Sequence, residues 1–381
     1  MKQYYLENIV DRKRGTYNFE LKSWYKEFIK KYNIRLKDTY ELRFKVSQNL
    51  ESIDGYVVES EKNKCGLVIS FDKKKKIVTY NTDAEVFVLP KSASNVWNHL
   101  GFFSQFYYKG SKSLKFHKIN LDGVSIGRTS DLSYLFYNCQ ELNELKITKF
   151  DTSRVKTMEA MFKRCYNLKK LDISCFDTSN VEDMTSMFSN CRSLEKLNIS
   201  NFNTKNVKYM YLMFNGCFEI KKLNLRNFNT SNLTTMQRMF SYCKKLKEVD
   251  LSNAVTSKVK YMGMMFMHCE KLRKLSIKKF DTSNVKSVNC MFNGCEKLQK
   301  LNLRHFKTPK VKDIGLCGVF CGCNSLKELD ISNFTTNKKI KTDNMYMFPI
   351  GHRIPKLLCN DETILQDYDK CLKKRIRSKK K

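Results

Sequence analysis

Fifteen cysteines and five histidines are the residues of this 381-residue chain best suited to metal or nucleophilic chemistry. The histidines, His99, His117, His268, His305 and His352, are scattered, and none pairs with a recurring acid. The sequence holds no phosphate-binding glycine loop, no nucleophile elbow and no helical His-Glu-x-x-His. Its one metal-like cluster, Cys317-x3-Cys321-x-Cys323, departs from the repeated short spacing of paired zinc ligands. Eight cysteines instead fall in phase: Cys139, Cys165, Cys191, Cys217, Cys243, Cys269, Cys295 and Cys323, each three residues after a phenylalanine. A free cysteine packs as a small buried hydrophobe, so the phasing reads as core. The expectation is a non-enzyme without metal or cofactor, carrying a column of reduced thiols.

That column needs a repeating scaffold. Phe136, Phe162, Phe188, Phe214, Phe240, Phe266 and Phe292 recur every 26 residues, and Phe320 follows after 28. A further copy, Met347-Phe348, lacks the cysteine. Within one unit, Cys165, Leu168, Leu171, Ile173 and Phe176 are apolar. The Leu171-x-Ile173 step has the period of a short strand, and its equivalents, such as Leu223/Leu225 and Leu275/Ile277, would stack as a parallel ladder. Val181, Met184, Met187 and Phe188 have helical spacing, with Ser179 and Glu182 placed as a capping box. Each unit is therefore expected to be a strand, a turn and a short helix or helical turn. The methionines at 161, 187, 213, 239, 265 and 291 read as gap-filling core.

The pattern Phe-Asp-Thr-Ser-Asn-Val-x-x-Met-x-x-Met-Phe-x-x-Cys-x-x-Leu-x-x-Leu-x-Ile-Ser-x-Phe stands best at Phe176 to Phe202 and Phe280 to Phe306. It resembles the BspA-type leucine-rich repeat over about residues 130 to 348. The resemblance implies a right-handed solenoid that binds proteins, often at cell surfaces, and it brings no catalytic residue. The expected fold class is thus α/β: a right-handed leucine-rich-repeat solenoid with a parallel strand ladder, preceded by a small α+β N-terminal cap domain. The expected division is 1–105 for that cap, 106–348 for the solenoid, and 349–381 for a C-terminal cap and basic tail.

The ends carry weaker signals. Leu21, Trp24, Tyr25, Phe28, Ile29 and Tyr32 line one face of a helix, and Leu67–Phe71 with Ile77–Tyr80 read as a hairpin turning at Asp72 to Lys76. The aromatics Phe102, Phe103, Phe106, Tyr107 and Tyr108 read as packing at the cap junction, with base stacking beside Lys109 and Lys112 the sharper reading. Lys373 to Lys381 read as a basic tail suited to polyanions, nuclear targeting or mere solubility. The start, Met1 to Asn8, lacks an apolar leader, and no apolar run is long enough for a membrane span, so the expectation is a cytoplasmic chain. A signal removed upstream would place it at the cell surface instead.

The charge bears on partners. Lys plus Arg is 71 against 38 acids, a net +33, and residues 131–360 carry +19 of it. A lysine-rich composition explains such an excess without function; a polyanionic partner explains it with one. On the expected ladder, the residues flanking the buried Leu-x-Ile pair face solvent. They supply a mixed, polar surface with Glu144, Glu248 and Glu328 in phase with its lysines, and within it a basic strip: Lys170, Lys196, Lys222, Arg226, Lys274, Lys278, Lys300 and Arg304. No aromatic shares those positions, which argues against both a protein hot spot and base stacking there. The expected role is a binding scaffold for an acidic protein surface. The alternative is an intracellular binder of nucleic acid or ribonucleoprotein, for example a nuclease inhibitor in phage counter-defence.

Overall fold

A computed structural model describes residues 3–5, 23–35, 38–57, 67–82, 86–88, 115–122, 124–148, 150–311, 313–336, 346–348 and 355–379. The chain forms two compact units: Met1–Asn180 with Lys196–Asn198, and Val181–Glu195 with Ile199–Lys381.

The first unit opens with strand β1 (Gln3–Tyr5) and helix α1 (Ser23–Lys31). Strands β2 (Thr39–Val46), β3 (Tyr56–Val57), β4 (Leu67–Asp72), β5 (Ile77–Thr82), β6 (Val86–Val88), β7 (Lys115–Asn120), β8 (Val124–Ser125) and β9 (Glu144–Lys146) follow. The hairpin lies where the apolar alternation puts it, with Leu67 opposite Thr82 and Asp72 opposite Ile77. Its turn is fixed by the Asp72 carboxylate, which accepts from the Lys75 amide, and by Lys76 at φ 55°. Phe28 on α1 is buried and meets Tyr32 at 5.2 Å between ring centres. The sheet order is β3-β4-β5-β2-β7-β9. Strand β7 therefore pairs in parallel with β2 on one side and with β9, the first repeat strand, on the other. Later in the same unit β10 (Lys170–Asp172) pairs in parallel with β11 (Lys196–Asn198). The aromatic cluster at 102–108 lies outside the described residues.

The second unit continues the repeats. Strands β12 (Lys222–Leu223), β13 (Glu248–Asp250) and β14 (Lys274–Ser276) form one parallel set, and β15 (Lys300–Asn302), β16 (Glu328–Asp330) and β17 (Lys356–Leu358) form another. Successive pairs such as Glu248 and Lys274 are 26 residues apart in register, and Lys300, Glu328 and Lys356 follow at 28, so equivalent positions of successive turns lie side by side. The regular parallel strands make the fold a repeat solenoid of strands and turns.

The core is a set of such columns. Phe214, Phe240, Phe266 and Phe292 are fully buried, and consecutive rings stack nearly parallel with centres 5.4 to 5.7 Å apart. Each in-phase thiol is buried; Cys243 donates to the Phe214 carbonyl of the preceding turn at 3.1 Å, and Cys269 to Phe240 likewise. The threonine two residues after each corner phenylalanine, or after Ala254 in the one turn that lacks it, is also buried. Thr204, Thr230, Thr256, Thr282 and Thr308 donate to the carbonyls of Asn229, Val255, Asp281, Lys307 and Thr335 in the following turn. Burial of a hydroxyl costs free energy unless it is bonded, and this column is bonded throughout.

The expected α/β class needs correction within the repeats, because the Met-x-x-Met-Phe segment is not a helix. Two residues per turn adopt left-handed backbone: Ser186 and Asn190, Leu212 and Gly216, Arg238 and Tyr242, Met264 and His268. A left-handed residue ends a right-handed helical run. Alternate amides then point to the next turn, while those between, such as Met213 and Asn215, donate three residues back to Met210 and Leu212. Leu212 donates to Gln237, Phe214 to Met239 and Gly216 to Ser241. Gly216, at φ 74°, has a second reason to be glycine: a Cβ there would meet the Asn190 Oδ1 at 2.5 Å. The expected capping box is an Asx turn, with the Asp177 carboxylate accepting from the Ser179 amide.

At the C-terminus, residues 373–379 of the expected basic tail lie on helix α2 (Glu362–Lys379). Asp361 caps it by accepting from the Ile364 amide, and Ile364, Asp367 and Cys371 form its buried face. Tyr368 meets Phe348, the last of the phenylalanine column, edge-on at 5.3 Å.

Candidate binding surfaces

All eight residues of the expected basic strip are exposed. The reason is local: in Lys170-Leu171-Asp172 the leucine is 3% exposed, and strand alternation turns its two neighbours outward. The structure does not leave the strip uniformly basic. In the second unit Lys222, Glu248 and Lys274 lie in register, as do Lys300, Glu328 and Lys356. Lys274 reaches Glu248 at 3.5 Å, Lys300 reaches Glu328 at 3.0 Å, and Arg226 reaches Asp250 at 3.0 Å. In the first unit Lys170 and Lys196 lie side by side. Lys278 and Arg304 follow their strands and are exposed.

The residue after the buried apolar centre of the strand is, in five turns, committed to structure. Asp172, Asn224, Asp250, Asn302 and Asp330 accept from the amides two residues on, closing the corner after the strand. Hydrogen bonds from Ser252, reinforced by Arg226, pull the Asp250 carboxyl down to about 2. These groups shape the corner and are not available as ligands.

A second surface emerges where each turn carries its buried Val or Leu, at Leu233, Val259, Val285 and Val311. Residues on either side of that core position point outward. They form two columns: Asn232, Lys258, Asn284 and Lys310 in one, Thr234, Lys260 and Lys286 in the other. The second column is a backbone ladder, with the amides of Thr234, Lys260 and Lys286 donating to Lys208, Thr234 and Lys260. Lys258 Nζ donates to Asn232 Oδ1 at 2.8 Å, and Lys310 Nζ to Asn284 Oδ1 at 2.5 Å. Between the columns runs an open groove of about 420 Å³, lined by Lys258, Lys260, Lys286 and Lys310 with Thr234, Ser257 and Asn284. No acidic side chain lines it. One turn earlier the pattern is different: Lys208 is matched by Glu182 at 2.6 Å. The next column is Tyr209, Thr235, Tyr261 and Ser287, joined turn to turn by single parallel bridges. Tyr209 and Tyr261 are 46% and 43% exposed, which is unusual for large aromatics in an array that buries its phenylalanines.

The metal-like cysteines divide between the core and its half-buried border, with Cys321 within electrostatic range of Cys317. Cys323 donates to Phe292 in the core column, while Cys321 donates to Tyr346 at 2.8 Å. Among the described residues no group of three or more His, Cys, Asp or Glu is placed to hold a metal ion. Burial pushes the Cys243 and Cys323 thiols up to about 12, so they are protonated at neutral pH. Also among the described residues, no helix is long and apolar enough to cross a membrane.

Against known families, residues 130–253 and 243–350 match the one described as Mycoplasma protein of unknown function, DUF285. These segments span more than half of the chain and coincide with the 26-residue repeats. The chain belongs to the DUF285 family. No curated protein matches it. The DUF285 segments contain both surfaces just described, from Lys170 to Arg304 on the strand side and from Lys208 to Lys310 on the groove side. The sequence reasoning found the first and missed the second. Its signal is present in the sequence as the phase-locked lysines beside Val259, Val285 and Val311.

Proposed function

We propose that the chain is a non-catalytic binding scaffold of the BspA-like leucine-rich-repeat kind, a right-handed solenoid whose N-terminal sheet serves as its cap. Its strand face recognises a protein partner with an acidic surface. The observation that carries this reading is the charge order on that face, Lys222–Glu248–Lys274 and then Lys300–Glu328–Lys356. A uniform polyanion gains at each lysine and loses at each glutamate. A protein surface carries both signs and can match the order, so the pattern confers specificity more than raw affinity. Repeat arrays commonly bind through such extended faces. The N-terminal sheet supports a capping role because β7 bonds on to the first repeat strand, which would otherwise expose an open edge.

The test uses the full chain, immobilised, against nuclease-treated lysate at high salt. The reading expects one protein to be retained, to cross-link to the strand-face lysines, and to be lost from a Lys196→Glu, Lys222→Glu and Lys300→Glu variant. Equal retention by wild type and variant would refute the assignment of the strand face.

A further inference from the structure

We infer that the lysine groove of the second unit is a binding site for single-stranded nucleic acid. Its lysines hold successive phosphates, and Tyr261 offers a stacking platform for a base. This does not rest on the protein-partner reading, which concerns a different set of residues.

Four observations converge on it. First, Lys258, Lys260, Lys286 and Lys310 share one groove with no acid in its lining, and none of the four makes an ion pair among the described residues. The strand face, by contrast, neutralises its own charge in alternate turns. Second, two of the four are aimed. Lys258 and Lys310 are each held by the amide oxygen of the preceding turn's asparagine, a neutral acceptor that orients the ammonium without discharging it. Third, the size fits one strand. Two turns of the ladder separate Lys258 from Lys310, about 10 Å at strand spacing, and two residues separate the columns, about 7 Å. A patch of that extent faces a single backbone and is narrower than a duplex groove of about 12 Å. Fourth, Tyr261 directly follows Lys260 in the chain and bridges to Ser287, the residue after Lys286. The exposed Tyr261 side chain thereby springs from backbone at the border of the cationic columns. An aromatic beside a basic groove is the combination that binds unpaired strands, because every base has a face to stack. Bases in a duplex are already stacked and cannot use it. Thr234, Ser257 and Asn284 add hydroxyl and amide groups able to bond phosphate or sugar oxygens.

The experiment measures binding of a fluorescein-labelled oligothymidylate, about 12 nucleotides long to cover one site, to the full chain by anisotropy across a salt series. A variant carrying Lys258→Gln, Lys260→Gln, Lys286→Gln and Lys310→Gln is compared with one carrying Lys170→Gln, Lys196→Gln, Lys222→Gln and Lys300→Gln, which removes the same charge from the strand face. The groove variant is expected to lower the slope of log affinity against log salt by about 3, from roughly 0.7 per lost phosphate contact on single strands. The strand-face variant is expected to lower it by less than about 1. Tyr261→Ala should weaken binding about fivefold or more, and Tyr261→Phe should restore it. Equal effects of the two lysine variants would overturn the proposal, since net charge alone would then explain binding. So would duplex binding as tight as single-strand binding, an unaffected Tyr261→Ala, or displacement by polyglutamate as effective as displacement by the oligonucleotide.

Discussion

Removing one ring from the phenylalanine column tests how the repeats hold together. Phe240 is fully buried, with Phe214 at 5.6 Å on one side and Phe266 at 5.4 Å on the other. Phe240→Ala removes the side chain and leaves a cavity, about 3–5 kcal/mol in close-packed cores. Loss of each stacked pair adds about 1 kcal/mol beyond area burial. The expected cost to the second unit is therefore about 5–7 kcal/mol, comparable to the whole stability of many domains. Phe240→Leu retains most of the volume and should cost about 2 kcal/mol, mainly for the two stacks. Coupling makes the sharper prediction. Phe240 and Phe266 share one stack, so Phe240→Leu with Phe266→Leu should cost less than the sum of the single changes by about 1 kcal/mol. Phe214 and Phe266 lie two turns apart and share none, so their changes should add. Urea denaturation of the three single and two double leucine variants, with hydrogen exchange to assign the unit affected, reads both quantities. Additivity in the adjacent pair, or coupling as large in the distant one, would refute the nearest-neighbour account of the column.

Three further outcomes follow from the buried polar and ionisable groups. Thr256→Val keeps shape but leaves the Asp281 carbonyl without its hydroxyl, and should destabilise by about 1–3 kcal/mol in denaturant titration, with Thr256→Ser much milder. Asp367 is 3% exposed, and burial raises its carboxyl above the usual range although the Met347 amide donates to it. With the folded value raised, its contribution is fullest below the ordinary carboxylate range and is lost as pH rises through the folded value. Asp367→Asn keeps an acceptor for Met347 and should flatten that decline in a thermal melt series from acid to neutral pH; an unchanged profile would assign the pH dependence elsewhere. In alkylation followed by mass spectrometry, the exposed Cys175 should label in the native state, while Cys243 and Cys323, buried and held near 12, should label only after unfolding. Native labelling of Cys243 would contradict its place in the core.

The strands were legible in the sequence because Leu171-x-Ile173 and its equivalents leave one solution: apolar side chains inward on a short strand. The turn segments were not. Met184, Met187 and Phe188 have spacing that a helix and a tight coil share, since both bury every third or fourth residue. The distinguishing residues, left-handed Ser186, Leu212, Arg238 and Met264, carry no glycine to announce themselves. Their backbone is fixed by amides committed to the next turn, a tertiary constraint that local propensity does not contain. The strip of lysines was legible as exposed, but its neutralisation by Glu248 and Glu328 depends on register between turns. The groove needed the same register to bring Lys260 beside Lys286. The C-terminal helix was readable from Ile364, Asp367 and Cys371 behind a capping Asp361, and the run of basic residues masked it.

The threonine column gives the array a grammar for changing length. Thr256 bonds forward to Asp281 and Thr282 forward to Lys307, so every turn is completed by its successor. Excising a whole turn joins one threonine to the next carbonyl in line and breaks nothing. Excising any other number of residues leaves the hydroxyl of that turn facing the wrong atom, while later turns keep their own spacing. A change of length is thus expected to be mildest in whole turns, or where a corner can bulge outward. The two extra residues before Phe320 sit at such a corner, around the short 3-10 turn Asp313–Leu316, and the column resumes past them, with Thr308 still bonding forward to Thr335. The length of the array is on this basis counted in whole turns, each of which repeats the same bond to its successor.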